Sequence, residues 1–331
     1  MAGRLVFGAL LAATLFSIAP ARAHAASFDC AAAKSPLEKQ ICVDAALSRA
    51  DEILADVYRA QMAATPLELR ELLRASQRSW LAYIDPFCSA PLEKRPQCLR
   101  DGFKARAAEL RKAVRQAGPF TLFESWTYAA GFNEDRKDRA FAHHISFLRI
   151  VSPKTDAERQ WNKVEAATEK EGANDVELGD DFDAGLEISG VSADLISGRY
   201  RTAYYEGGMA HGQYMSVGQV WSLRLRRPLT FGDLFKDVRA GKAHLASRAV
   251  AHFEGGEAID HLTPAMILET LENNDVWEAT AAGVLLDYDP YAFGCYPCTG
   301  RALVPWKELA ADLRPDLPFS IKDIRADPAR P

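Results

Sequence analysis

Residues 28–42 read FDCAAAKSPLEKQIC, a stretch in which two cysteines flank a helix start. Ser35-Pro36-Leu37-Glu38 combines an N-cap serine, a proline at the first helical position and a glutamate placed to close a capping box. A helix therefore begins here, held by cysteines on both sides. Toward the N-terminus, Arg4 is followed by an apolar run from Leu5 to Ile18, then by small-residue cleavage options at Ala21-Arg22-Ala23 and Ala23-His24-Ala25. That order predicts a secretory signal peptide over residues 1–25. The apolar run, about fourteen residues, falls short of the roughly 20 needed to span a bilayer. No later segment qualifies as a membrane span, and Ser27, Phe28 and Asp29 lack the small residues a lipoprotein peptidase wants before Cys30. The expectation is a free periplasmic or secreted protein.

Toward the C-terminus the helical pattern continues. Asp44 reads as a second cap, followed by Leu47, Ala50, Leu54, Val57 and Tyr58 at helical spacing. Thr65-Pro66-Leu67-Glu68 repeats the capping pattern ahead of a helix carrying Leu69, Leu72, Leu73, Trp80 and Tyr83, which Pro86 ends. A last helix is expected from about Gln97 to Gln116, with Leu99, Phe103, Leu110 and Val114 on its apolar face and Gly118-Pro119 as its stop. Residues 26–118 thus read as an all-α domain, with the hinge to the rest of the chain at Gly118-Pro119.

The six cysteines, Cys30, Cys42, Cys88, Cys98, Cys295 and Cys298, all follow the signal segment, and in an oxidising compartment an even count reads as disulfides. The four in the helical domain permit three pairings, among which sequence does not choose. Local pairs, Cys30 with Cys42 and Cys88 with Cys98, are favoured; each closes a loop of about a dozen residues and adds roughly 3 kcal/mol. Zinc is disfavoured by the spacing and by competition from oxidation.

Phe28-Asp29-Cys30, Lys34-Ser35-Pro36-Leu37-Glu38-Lys39, Ile41-Cys42, Gln77-Arg78-Ser79-Trp80-Leu81, Cys88 and Cys98 together resemble the LprI-type family of exported bacterial proteins. The resemblance implies a small helical domain associated, in at least some members, with lysozyme inhibition.

After Pro119 the texture changes. Phe120 to Ala130, His144 to Val151, Leu186 to Ser189, Arg199 to Glu206 and Tyr214 to Leu225 alternate and are rich in aromatics, as strands with one buried face are. Asp156 to Glu171, Lys236 to Phe253 and Thr263 to Leu271 read as helices. The order predicts a larger α+β domain over 119–331 with a mainly antiparallel sheet, and an α+β chain overall. Residues 204–212 (YYEGGMAHG), the turn and strand at 228–235 (PLTFGDLF), and 287–294 (DYDPYAFG) leading to 304–309 (VPWKEL) resemble the extracellular domain at the C-terminus of RsiV-type anti-sigma proteins and of some polysaccharide deacetylases. That resemblance implies an accessory domain whose best understood member senses lysozyme by binding it. The two cysteines within Gly294-Cys295-Tyr296-Pro297-Cys298-Thr299-Gly300 depart from the family's usual pattern.

Charge is uneven. Residues 26–118 carry 15 Lys and Arg against 12 Asp and Glu, whereas 119–331 carry 23 against 33. An acidic second region argues against nucleic acid and suits a cationic partner through steering. Cys295-x-x-Cys298 invites a thiol redox reading, but it lies in a loop between strand-like segments, where a shape-fixing disulfide fits better than a thiolate stabilised at a helix N-terminus. His211 sits in a glycine-rich turn without a nominated carboxylate or nucleophile. His143 and His144 alternate across a strand and so cannot share a metal, while His244, His252 and His261 match no familiar site. Asp175, Glu177, Asp180, Asp181 and Asp183 lack the EF-hand pattern and read as a solvated acidic loop.

These observations lead to a non-catalytic protein, without cofactor or metal, that binds and inhibits a lysozyme-type muramidase. The partner-binding loops are expected at Glu206 to Gln213, with Glu206, Met209 and His211, and at Gly294 to Thr299, with Tyr296. The alternatives are an envelope accessory that holds peptidoglycan or another envelope protein, with Trp126, Tyr204, Tyr205 and Trp221 available to stack on sugars, and an enzyme using Cys295 and Cys298 or His211.

Overall fold

The computed structural model describes residues 26–89, 91–133, 138–174, 181–205, 210–255 and 261–328; residues 1–25, expected to be a signal peptide, lie outside them. Helix α1 (Pro36–Val43) starts as its sequence dictates. Ser35 Oγ accepts from the Glu38 N–H at 3.1 Å, and the Glu38 carboxylate accepts from the Ser35 N–H at 2.8 Å. Asp44 caps α2 (Ala45–Ala64) by accepting from the N–H groups of Ala46 and Leu47. The capping pattern at Thr65 behaves differently. Thr65 closes the C-terminus of α2, its N–H donating to Gln61, and α3 (Arg70–Phe87) begins only after a 3₁₀ turn at Leu67–Leu69. The Arg70 guanidinium donates to the Thr65 carbonyl at 2.9 Å, satisfying an acceptor at the C-terminus of α2. Helix α4 is Arg95–Lys112. Leu47, Leu54, Leu73, Trp80, Leu99, Phe103 and Leu110 form one buried cluster. Disulfides Cys30–Cys42 and Cys88–Cys98, with Cα atoms 5.7 and 5.6 Å apart, tie the N-terminal segment to α1 and the end of α3 to α4.

The helix expected to reach Gln116 stops at Lys112, and Val114–Ala117 is instead strand β1, paired with β2 (Phe120–Asn133) across Gly118-Pro119. Val114 lies four residues after Leu110 and so mimics helical spacing, but long-range bonds outcompete another turn of helix. The Glu124 N–H donates to the Ala113 carbonyl at 2.7 Å, and Arg115 bridges Glu124 and Asp327. The expected hinge is therefore a hairpin turn inside a sheet.

Strands β3 (Asp138–Ile150), β4 (Asp181–Ser192), β5 (Leu195–Tyr205), β6 (Gln213–Ser222) and β7 (Arg227–Pro228) follow β1 and β2 in sequential order across one seven-stranded sheet. Neighbours are antiparallel except β3 and β4, which are joined by α5 (Asp156–Asn174) and pair in parallel, as a helical crossover requires. The segment 228–235, read as turn and strand, holds instead a one-turn helix α6 (Phe231–Leu234), because the Asp233 carboxylate accepts from the Thr230 N–H at 2.9 Å. Then come α7 (Val238–Ala251), β8 (Phe253–Gly255), α8 (Pro264–Thr270), β9 (Trp277–Ala279), β10 (Gly283–Tyr288), β11 (Gly300–Pro305) and α9 (Trp306–Leu309). Their four strands form a second antiparallel sheet in the order β8-β11-β10-β9.

The register aligns Tyr128, His144, Asp183, Ala203 and Tyr214 across β2 to β6, so their side chains share a face of the large sheet. Helices α3 and α4 cover β2 and β3 on that face, and the second sheet covers β5 and β6. Trp161 of α5 is buried against the opposite face.

Candidate functional site

Between those two coverings lies an open cleft of about 670 Å³ over residues 183–187 of β4. One wall is the face of α4 formed by Ala105, Ala108, Glu109 and Lys112, which are neighbours at helical spacing. The other wall includes Arg201, Tyr214, Met215 and Asp289. The second sheet is held to the first by polar bridges. Arg199 donates to Glu278 at 2.7 Å, Arg201 to Asp287 at 2.8 Å, and the Ser216 hydroxyl to Asp289 at 2.6 Å.

A connected polar group joins the α4 wall to the floor. Arg106 is 0% exposed, and its guanidinium donates to Ser76 Oγ at 2.9 Å, Gln77 Oε1 at 3.1 Å, the Tyr128 hydroxyl at 3.0 Å and Glu109 at 3.2 Å. It also lies over the rings of Trp126 and Tyr128, about 5 Å from each centroid. The Tyr128 hydroxyl donates to Glu109. His144 stacks on Tyr128, places Nδ1 2.6 Å from Asp183, and holds Nε2 3.5 Å from Glu109. Burial alone would lower the pKa of His144, but the Asp183 hydrogen bond and the charges of Asp183 and Glu109 reverse the balance and raise it. Burial also raises the Glu124 carboxyl, against the pull of Arg115.

The second constellation lies at the tips of the loops. His211 stacks on Tyr296 at 3.9 Å between ring centroids, and its Nε2 lies 3.1 Å from the Tyr291 hydroxyl. Cys295 and Cys298 are disulfide-bonded within the β10–β11 connection, Cα atoms 5.0 Å apart, and the Cys295 carbonyl accepts from the N–H groups of Tyr291 and Cys298 at 3.0 Å. Gly294 supplies the left-handed backbone this turn needs, with φ +89°. Tyr205, Tyr214, Met215 and Tyr291 are exposed large side chains on the same elements. The structure thus brings His211 and Tyr296, 85 positions apart in the chain, into contact. Glu206 and Met209 lie outside the described residues.

The other sequence candidates resolve as follows. The Cys295–Cys298 pair sits in the connection between two strands, β10 and β11, and is closed as a disulfide. Among the described residues, the His211 ring nitrogens face the Tyr291 hydroxyl and the Gly212 carbonyl. His244 pairs with Asp312 and His252 with Glu308. Asp175, Glu177 and Asp180 lie outside the described residues, but Asp183, read as part of a solvated loop, belongs to β4 and binds His144. The contact of His144, Asp183 and Glu109 was not legible because it depends on strand register and on where α4 docks. Trp126 and Trp221, each 4% exposed, belong to cores and present no ring face to a sugar. Among the described residues, no helix is long and apolar enough to cross a membrane.

Residues 30–117 match the family described as lysozyme inhibitor LprI. The match ends on the last residue of β1. The uncharacterized protein R02472 of Rhizobium meliloti (strain 1021) is 32% identical over 130 residues, covering 32% of this chain and 94% of that protein. Among solved structures, the DUF3298 family protein PA4972 of Pseudomonas aeruginosa PAO1 is 16% identical with a TM-score of 0.41, and BF2082 of Bacteroides fragilis, also of that family, is 15% identical with the same score. Each likeness covers 60% of this chain and 96% of the other, at a score too low to assign the architecture of the second region. The chain belongs to the same family as the Rhizobium meliloti protein, and its residues 30–117 form a lysozyme inhibitor LprI domain.

Proposed function

We propose that this is an exported, non-catalytic protein that binds and inhibits a lysozyme-type muramidase in the periplasm or outside the cell. The observation that carries the reading is the LprI match over residues 30–117. Three features support it. The disulfides at Cys30–Cys42, Cys88–Cys98 and Cys295–Cys298 suit an oxidising compartment. The motifs of the second region resemble those of the RsiV-type lysozyme-sensing domain. The acidic balance of residues 119–331, 33 Asp and Glu against 23 Lys and Arg, suits a cationic enzyme. The tip of His211 and Tyr296, with Tyr291 beside it, is the proposed gripping surface. Its rigid aromatic rings are the side-chain type that dominates binding hot spots.

Calorimetric titration of the mature protein with hen-type and goose-type lysozymes, alongside a muramidase assay, tests this reading. Saturable binding at micromolar concentration or below, with loss of lysis, is expected for at least one enzyme. Tyr296→Ala should weaken that binding about tenfold or more while the melting curve stays in place. Absence of binding to every lysozyme tried would overturn the proposal.

A further inference from the structure

We infer that the cleft over β4 receives an extended basic segment of the partner, a loop bearing lysine or arginine. The identity of the partner rests on the muramidase reading; the chemistry of the segment does not. At the floor, Gly185 makes room for the Ser146 hydroxyl, which an added Cβ would meet at 2.1 Å. Exposed Ala105 and Ala108 make the α4 wall low and apolar. The lining carries five carboxylates, those of Glu109, Glu124, Asp183, Glu187 and Asp289, of which Glu109 pairs with Arg106 and Glu124 with Arg115, and two cations of its own, Lys112 and Arg201. Arg201 is shared between Glu187 at 2.9 Å and Asp287 at 2.8 Å, so its one charge faces two carboxylates. The Asp183 side chain remains 63% exposed beside its histidine.

An apolar trough with an acidic rim matches the build of lysine and arginine, whose aliphatic stems lie on apolar surface while the charged heads reach outward. Low-dielectric walls focus the field of the rim carboxylates on whatever enters. A sugar chain is less well served, since Trp126 is buried and Tyr214 alone offers an exposed aromatic ring among the described lining residues. Tyr214 and Asp289 of the cleft wall lie three and two residues from His211 and Tyr291 of the proposed gripping tip. One partner is thus placed to hold the tip while inserting a basic loop.

The test uses Ala108→Arg and Ala108→Glu, which fill the same exposed position on α4 with opposite charges, each checked by its melting curve. Binding of penta-lysine, with penta-glutamate as control, and of lysozyme is titrated at low and high salt. Ala108→Arg should weaken penta-lysine at least tenfold and Ala108→Glu should not, with affinity falling as salt rises; Tyr296→Ala should leave penta-lysine unchanged. If penta-lysine binds in this charge-dependent way and no lysozyme binds, the cleft assignment stands and the muramidase reading falls. If lysozyme binds and both Ala108 variants match the wild type for lysozyme and penta-lysine alike, the cleft assignment falls and the muramidase reading stands.

Discussion

Arg106 shows how much one buried cation organises. Four of its hydrogen bonds reach Ser76, Gln77, Glu109 and Tyr128, from α3, α4 and β2, so one planar fork joins three elements. Arg106→Ala would leave the Glu109 carboxylate without its guanidinium and Ser76 Oγ with only the Trp126 N–H as donor. A loss of about 3–5 kcal/mol is expected by urea denaturation, and Arg106→Lys should recover only part of it, because an ammonium lacks the fork. On the opposite face of the sheet, Glu165 of α5 is 5% exposed, accepts from the Tyr200 hydroxyl, and is pushed up to about 7 by burial. Its folded pKa lies above the ordinary 4.5. The folded state therefore keeps a proton that the unfolded chain releases, and stability from this group falls as pH rises from about 4.5 to 7. Glu165→Gln keeps a neutral acceptor for Tyr200. It should match the wild type near pH 4.5 and exceed it by about 2–3 kcal/mol at pH 8, read from urea midpoints at the two values. Burial of Glu165 was not visible in the sequence, where it sits on a polar-looking helix; its surroundings come from β5, not from its own turn.

Among the elements, α1 and α2 were fully legible, because a cap is a bond between residues three or four apart, as from Ser35 to Glu38 and from Asp44 to Leu47. Strand β1 was not. Its Val114 continues the spacing of Leu110, and only pairing with β2 and the bridge from Arg115 to Asp327, 212 positions away, draws the backbone out of the helix. The turn that makes this possible depends on Gly118, whose φ is +54° and whose added Cβ would stand 3.2 Å from the Val191 carbonyl oxygen. Gly118→Ala should cost about 1–2 kcal/mol from the left-handed backbone, measured by chemical denaturation. An unchanged midpoint would mean that the turn relaxes to another conformation.

Over the molecule as a whole, the LprI domain and the large sheet share a core. Phe123, Trp126 and Tyr128 of β2 are buried in the same cluster as Leu73, Trp80 and Leu110 of the helices. A fragment covering residues 26–118 loses that cover and should melt well below a chain covering residues 26–331, which should itself unfold without an early helical transition; circular dichroism melts of both would show this. The signals for caps, disulfide partners close in sequence, and strand alternation are local, since each depends on residues within about a dozen positions of one another. These signals made the α+β class readable. The meeting of His211 with Tyr296, the alignment of His144 with Asp183 and Glu109, and the cleft between α4 and the second sheet come instead from strand register and layer packing. Those contacts join residues tens of positions apart, and a linear pattern carries no record of which distant carboxylate a strand will place beside a histidine.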